Sequence, residues 1–592
     1  MTSSDAIDVG LPNQSSNPTN IVNDNSTGKD RDGDRSSRTS DSGIVPRIKG
    51  PTDVPDQALL HGAPFVVLIA SVTMAVFLVS LSTTILGTAT PTITSEFHTV
   101  DDVGWYAAAY LVSNCGMAPL TGTLYRMFHL KFVFIAFIGV FELGSLIAAT
   151  AHSSNVLIVG RAISGIGGGG IITGSTTIIA ASVPLSRRAF VIGVGMGCLA
   201  LGQTIGPLIG GLLATYVSWR WCFYINLPLG GAVAIPFVLF IKLPVTRLTT
   251  SNLTVVQKIL KIDLIGFLGF ASACVMCLLG LEWGGETYPW NSATVIGLLC
   301  GGFIGFICVC GWFVYRRDSA LIPPRLLKNR INCAIALTAF TQAGGTYTAQ
   351  YWLPIWFQGV KGASPISSGI MILPTIISQL IASVSCGILV QKTGYYLPEV
   401  VGGNALVAVG AALMSTMKPD TSEGQWIGYQ ILTGAGRGFV LQLLVTAIQT
   451  NLPAEDSSLG SSLVMFAQYF GGAIFASVAN TVFTSSIGPA LLQYAPSIDP
   501  NLLTNSGVTD LGEVVPAAEL PGALLAYNES IDHVFDVQLA ASCAALLTGC
   551  FVGWRKVNKR KKNTKNDVEV NDAMPDGAQT AAQKTDEEKA GQ

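Results

Sequence analysis

The sequence predicts an all-α membrane protein whose chain crosses the bilayer fourteen times, and three observations carry that prediction. Of 592 residues, 49% are hydrophobic and 12% charged, about half of the roughly 25% charged content of soluble domains. Apolar runs of about 20 residues, the length that spans a hydrocarbon core, recur from Phe65 to Trp554 between short polar or basic breaks. Finally, Lys and Arg gather in every second connection, as cytoplasmic loops require.

Residues 1–60 are rich in Ser, Asp, Asn and Gly and poor in aromatic clusters. Such a segment buries too little apolar surface to fold and reads as a disordered cytoplasmic tail. It lacks the apolar core of a signal peptide, so the first span is expected to serve as the targeting signal. Spans begin near Phe65, Trp105, Phe132, Val156, Ala189 and Phe223 within residues 61–243. Two more, from Leu264 and Thr294, follow a polar linker in residues 244–328. The last six, within residues 329–554, begin near Ile331, Ser367, Val400, Gln425, Leu459 and Val534.

If the first loop lies outside, the inside loops hold Arg126, Lys131, Arg187, Arg188, Lys242, Arg247, Lys258, Lys261, Arg316, Arg317, Arg325, Lys328, Arg330 and Lys392. The outside loops then hold only Arg220, Lys361 and Lys418, and both tails lie in the cytoplasm. An extracellular loop is expected over residues 485–533, which carry acids but no Lys or Arg. It includes Asn528-Glu529-Ser530, a glycosylation acceptor triplet. Residues 555–592 open on Arg555, Lys556, Lys559, Arg560, Lys561 and Lys562 and continue as a polar cytoplasmic tail. A basic cluster beside a span is an anchor for anionic lipid before it is a nucleic-acid patch. A weak repeat relates Gly122-Thr123-Leu124, after the second span, to Gly387-Ile388-Leu389, after the tenth.

The stretch from Gly202 to Gly230 organises the rest. Gly202, Gly206 and Gly210 recur every fourth residue of an apolar helix, which bares one face to close approach by a neighbouring backbone. Pro207 interrupts that face, removing a ladder hydrogen bond that a membrane helix gives up only where neighbours or a cavity compensate. Trp219, Arg220 and Trp221 then mark a membrane–water interface.

Gly202, Gly206, Pro207, Gly210 and Gly211 resemble the antiporter signature in the fifth helix of major facilitator transporters. The run WRWCFYINLPLG resembles the next segment of the fourteen-span drug:proton antiporter family, with fungal exporters of toxins and secondary metabolites the most similar members. The resemblance covers about Phe65 to Trp554. It implies the major facilitator fold, two six-helix bundles plus two inserted helices rocking about a mid-membrane cavity. It also implies export of a small hydrophobic compound, driven by protons. An importer or facilitator of a siderophore or nutrient, and a membrane sensor that transports nothing, stay open as alternatives. The chain departs from the family at Arg126, where an Asp is usual, at His129, where a Gly is usual, and at Ser82, where the first-helix motif has an Asp.

Ionisable groups within spans are costly and mark function by default. Glu142, Arg161 and Arg437 are the deep ones. Arg161 resembles the fourth-helix arginine of proton-coupled antiporters, which gives it a coupling role by resemblance; a structural arginine bonded to carbonyls is the other reading. Glu142 is either a proton carrier or a group that pins helix contacts. If the family's Asp carries the proton, Ser82 leaves three possibilities: Glu142 takes the role, coupling differs, or transport is not proton-driven. Asn114, Gln342, Tyr347, Gln350, Tyr351, Trp352, Gln442 and Gln449 are candidates to line the cavity, since such sites are apolar with a few placed polar groups. The absence of a mid-span charge cluster points to a neutral or weakly charged amphipathic substrate.

Other function classes fail on inventory. Gly165 to Gly170 matches GxGxxG, yet no strand precedes it, so helix packing explains it better than a nucleotide. No GxxxxGK[ST] occurs. The histidines fall at span ends or loops, and Cys274-x-x-Cys277 lies inside an apolar run, so no metal, cofactor or nucleic-acid partner is expected. Catalysis is not expected either. The partners expected are the bilayer, protons and the substrate, with the chain a monomer in the plasma membrane or, alternatively, the vacuolar membrane.

Overall fold

A computed structural model of the chain describes residues 62–97, 103–241, 243, 254–285, 287–498, 515–516 and 519–556. The tails expected over residues 1–60 and most of 555–592 lie outside the described residues, as does much of residues 485–533. Among the described residues the chain is helical, with two isolated bridges and no strand. The helices are α1 (Ala63–Thr84), α2 (Leu86–Phe97), α3 (Val103–Met127), α4 (Leu130–Ala149), α5 (Ser154–Ser182), α6 (Leu185–Tyr216), α7 (Trp221–Tyr224), α8 (Asn226–Phe240), α9 (Val255–Leu260) and α10 (Leu264–Trp283). They continue as α11 (Ala293–Arg316), α12 (Pro324–Lys328), α13 (Arg330–Gly359), α14 (Pro365–Met371), α15 (Leu373–Thr393), α16 (Leu397–Met414), α17 (Glu423–Asn451), α18 (Ser457–Tyr494) and α19 (Leu520–Gly549).

Local chemistry sets many of these boundaries. Asp263 caps α10 by accepting from the Gly266 amide at 3.0 Å, and Ser422 with Gln425 forms a capping box at the start of α17. His129, the departure from the family loop, caps α4 through Nδ1, which accepts from the Lys131 amide at 3.3 Å. Gly394 ends α15 at φ 76°, a left-handed conformation that favours glycine.

Twelve helical stretches among the described residues are long and apolar enough to cross a membrane. Large apolar side chains such as Ile235, Leu239, Phe303 and Ile307 stand exposed on α8 and α11, as a lipid-facing surface requires. The chain is a multi-pass membrane protein. The two expected spans outside the twelve are α3 and α13, of 25 and 30 residues. Their length suffices, but Ser, Thr, Asn, Gln and Tyr lower their hydropathy, and most of those polar residues face other helices. Asn114, Thr121, Thr338, Gln342 and Thr348 are all buried.

Helices α1, α3, α4, α5, α6 and α8 pack on one another, as do α13, α15, α16, α17, α18 and α19. Between these groups, α10 packs on α11 and α3. The groups meet where α6 crosses α15 and where α3 crosses α18. Both crossings use the repeated glycine. A Cβ on Gly122 of α3 would stand 2.8 Å from Ser462 Cβ of α18, and one on Gly387 of α15 would stand 2.5 Å from Phe190 Cα of α6. The faint repeat therefore marks the same close helix approach in each group.

Two expectations fail at the carboxy-terminal end. The last span begins at Leu520, 14 residues before Val534, and α18 runs 38 residues to Tyr494, so residues 485–494 and 520–533 are helix, not loop. Asn528 is not a glycosylation site in this fold, because it is 5% exposed within α19. Its Nδ2 donates to the Met417 carbonyl at 2.9 Å and to Asp532 at 2.8 Å, while its Oδ1 accepts from Trp356 Nε1 at 2.8 Å.

Candidate functional site

The glycine face of α6 lies against α1 and α2. A Cβ on Gly202 would stand 2.7 Å from the Phe77 carbonyl oxygen; one on Gly206 would overlap Thr84 Oγ1; one on Gly210 would overlap the Ile85 carbonyl. Gly211 points elsewhere, with Thr88 at 3.9 Å from its notional Cβ. Thr88 Oγ1 donates to the Pro207 carbonyl at 2.9 Å, and Ser80 Oγ donates to that of Leu199. The seam thus combines bare backbone with hydroxyl bonds across it.

The end of the seam nearest Trp219 is clasped. Arg220 bonds Glu96 at 2.9 Å and stacks 4.4 Å above the Trp219 ring, whose Nε1 donates to Glu96 at 2.6 Å. These bonds from Arg220 and Trp219 hold the Glu96 carboxyl below the usual carboxylate range.

Deeper in, Arg161 of α5 is 1% exposed. Its Nε donates to the Tyr106 carbonyl at 2.9 Å, and its Nη1 donates to the Ser82 carbonyl at 2.9 Å and to Ser82 Oγ at 3.3 Å. Its guanidinium lies 4.5 Å from the centre of the Tyr110 ring. The serine that replaces the family Asp is therefore a direct partner of this arginine, which has no carboxylate partner among the described residues. The glycine run of α5 makes the geometry possible: Gly165 and Gly168 admit Tyr110, Gly169 admits Asn114, and Gly167 admits Phe141 of α4.

Glu142 does not join Arg161. It faces Gly230 of α8, half-buried, and neither carboxyl oxygen has a hydrogen-bond partner. The two coupling candidates thus belong to different helix contacts.

The cavity candidates divide. Asn114 lies beside Tyr469 of α18, and Tyr347 of α13 lies within electrostatic reach of Tyr110, Tyr469 and Arg437. Gln350 donates to Gln203 of α6 at 3.1 Å, Gln449 to the Thr176 carbonyl of α5 at 3.4 Å, and Gln442 to the Ser383 carbonyl at 2.9 Å. Gln342 is buried and reaches Thr346 at 3.4 Å. Tyr351 is a correction: it is 63% exposed on the outer face of α13, and Trp352 packs on Phe483 at 4.7 Å. Reading the facing of α13 needed its neighbours, which a single helix pattern does not specify. Tyr110 and Tyr469 join the site without having been expected from the sequence, where the spacing of Tyr106, Tyr110 and Asn114 by four is the available signal.

At the end of the bundles where the basic residues lie, Asp456 is 3% exposed and bonds Arg126 at 3.3 Å and Arg325 at 3.0 Å. Arg325 also reaches Asp318 at 3.1 Å. Arg126, the second departure from the family loop, is thus neutralised by the N-cap residue of α18 across the join between the two groups.

Comparison with known proteins places these features in a family. The family model described as the Major Facilitator Superfamily matches residues 72–476. The MFS-type transporter pigP of Monascus ruber is 43% identical over 89% of this chain and 92% of its own length. The efflux pump mlcE of Penicillium citrinum is 42% identical, over 86% and 93%. Among solved structures, the proton:xylose symporter XylE aligns over 83% of this chain and 97% of its own, with a TM-score of 0.54 at 13% identity, a likeness of fold alone. With the helix groups, the glycine seam and full-length similarity in agreement, the chain belongs to the major facilitator superfamily.

Proposed function

We propose that the chain is a proton-coupled secondary transporter that exports small hydrophobic compounds, such as a fungal secondary metabolite, toxin or drug. The observation that carries this reading is the end-to-end similarity to relatives named transporters and efflux pumps. The α6 seam on α1 and α2, and the cross-group contacts of Gln350, Gln449 and Asp456, supply parts that such a transporter needs. In this reading α3 and α13 are counted with the twelve apolar helices, making fourteen spans. Residues 61–243 and 329–554 act as the two rocking bundles, and residues 244–328 supply the inserted pair. The basic end is cytoplasmic, the protein works as a monomer in the plasma or vacuolar membrane, and Glu142 and Arg161 are the coupling candidates.

At the basic end the ion pairs of Asp456 with Arg126 and Arg325 tie the two helix groups together. Comparing the small hydrophobic metabolites inside and outside cells with and without the protein tests the direction. Export predicts higher intracellular and lower extracellular levels of at least one compound in the deletion strain; the reverse pattern supports import, and no difference argues against transport.

A further inference from the structure

Three arginines are buried among the described residues. Arg161 bonds Tyr106 and Ser82, and Arg188, although its Nε also lacks a partner, donates to the Ala180 carbonyl at 2.5 Å. Arg437 differs from both. It is 7% exposed, its Nε has no partner, and its guanidinium makes no hydrogen bond or ion pair to any described residue. It sits at the middle of α17, about 21 Å along the helix from either end at 1.5 Å per residue. A charge so placed and left unpaired is destabilising, so the fold keeps it against its own stability.

The neighbours of Arg437 show where it points. Gly434 and Gly438 lie against α15, at Thr375 and Gln379, and Gly436 lies against Gly403 of α16. Those two sides of α17 are filled by backbone. Arg437 lies between those two sides, on a helix that also packs on α13 and α18; Tyr347 of α13, within electrostatic reach of Arg437, packs on Gly472 of α18, where a Cβ would stand 2.5 Å from its ring, one turn from Tyr469. Both tyrosines keep partial accessibility although they lie deep among the helices, so open space adjoins them. No carboxylate of the described residues faces Arg437. A cation beside two phenol rings and their hydroxyls forms a receptor for an anion on an apolar body.

We propose that Arg437, with Tyr347 and Tyr469, binds the ionised carboxylate of an amphipathic substrate. The proposal rests on the transport reading and narrows its substrate class, replacing the neutral compound expected from the sequence with an organic acid. Arg437 supplies the charge and the tyrosines supply hydroxyl donors.

The test uses purified full-length protein in detergent and two fluorescent probes of matched shape, 4-(1-pyrenyl)butyrate and its primary amide. Binding is followed by fluorescence anisotropy at neutral pH, where the carboxyl is ionised. The acid is expected to bind the unmodified protein about tenfold or more tightly than the amide, as charge-assisted bonding allows. Arg437→Gln is expected to bring the two within about twofold of each other by weakening the acid alone, while Arg437→Lys keeps part of the preference. Tyr347→Phe, which removes only a hydroxyl, gives a smaller loss and guards against misfolding of the arginine variants. Lack of an acid preference in the unmodified protein, including no binding of either probe, overturns the site, as does an unchanged preference in Arg437→Gln. Flux of the same probes in proteoliposomes is read separately: acid-selective binding without flux of either probe contradicts the transporter reading and leaves the anion site standing, whereas amide flux without acid preference does the opposite.

Discussion

Replacing Gly210 by Ala is the sharpest perturbation of the α6 seam, and its neighbour Gly211 is the matched control. A methyl at Gly210 would overlap the Ile85 carbonyl and stand 2.6 Å from Thr88 Oγ1, roughly 1 Å inside the ~3.5 Å optimum for non-bonded atoms. Thr88 can turn aside but the Ile85 carbonyl, being backbone, cannot, so α6 must lift away from α1 and α2. Overpacking of this kind costs about 1–3 kcal/mol. Losing the Thr88 bond to the Pro207 carbonyl adds about 1 kcal/mol. A methyl at Gly211 meets only Thr88, at 3.9 Å, and Ala is the better helix former by about 1 kcal/mol. If the seam forms in only one of the two access states, a change of about 2 kcal/mol moves their ratio about 30-fold. The assay is initial flux in proteoliposomes beside thermal unfolding of the purified protein. Gly210→Ala is expected to lose most of its flux and to melt earlier, and Gly211→Ala to do neither. Equal behaviour of the two variants would refute the reasoning.

Four further outcomes follow from the same geometry. Arg161→Met removes the bonds from a charged donor to the Tyr106 carbonyl and to Ser82, bonds of a kind worth about 1.5–3 kcal/mol, so thermal unfolding should shift down clearly; an unchanged melt would remove Arg161 as a structural tie. Glu142→Gln removes a half-buried carboxyl that has no partner, so stability should hold or rise while flux driven by a pH gradient falls; full gradient-driven flux would take Glu142 out of coupling. Asp456→Asn leaves Arg126 and Arg325 facing each other, and because both reach water the loss is about 2 kcal/mol, below the 3–5 kcal/mol of a fully buried pair, measurable as a lower melting temperature. For Glu96 the folded carboxyl is held below its unfolded range, so its contribution is complete above about pH 4.3 and is lost as the pH falls through the folded value. The melting difference between the unmodified protein and Glu96→Gln should accordingly be constant near neutrality and vanish in acid, and a difference that grows in acid would contradict the clasp.

What was legible in the sequence was whatever depends on spacing along one helix. The four-residue glycine period of α6 predicted a bare face, and the structure seats α1 and α2 on it. The GxGxxG run in α5 read as packing, and its glycines admit α3 on one side and α4 on the other. Pairings across hundreds of residues were not legible. Nothing local says that Asp456 neutralises Arg126, or that Ser82 accepts from Arg161. The Asn528 triplet misled because a three-residue pattern carries no burial; the same polar side chains that suggested a loop satisfy one another within α19, as the Asn528 bond to Asp532 shows. Facing along α13 was equally hidden, so Gln350 reaches the opposite helix group while adjacent Tyr351 points outward.

The central claim is that the two helix groups move a small hydrophobic solute across the bilayer at the expense of a proton gradient. The most direct measurement is flux into proteoliposomes that hold the purified full-length chain, with 4-(1-pyrenyl)butyrate outside and a pH gradient imposed. The account predicts accumulation against the probe's own gradient that collapses when a protonophore is added and is absent in Gly210→Ala. Accumulation indifferent to the pH gradient, or none beyond that of protein-free vesicles, would contradict it.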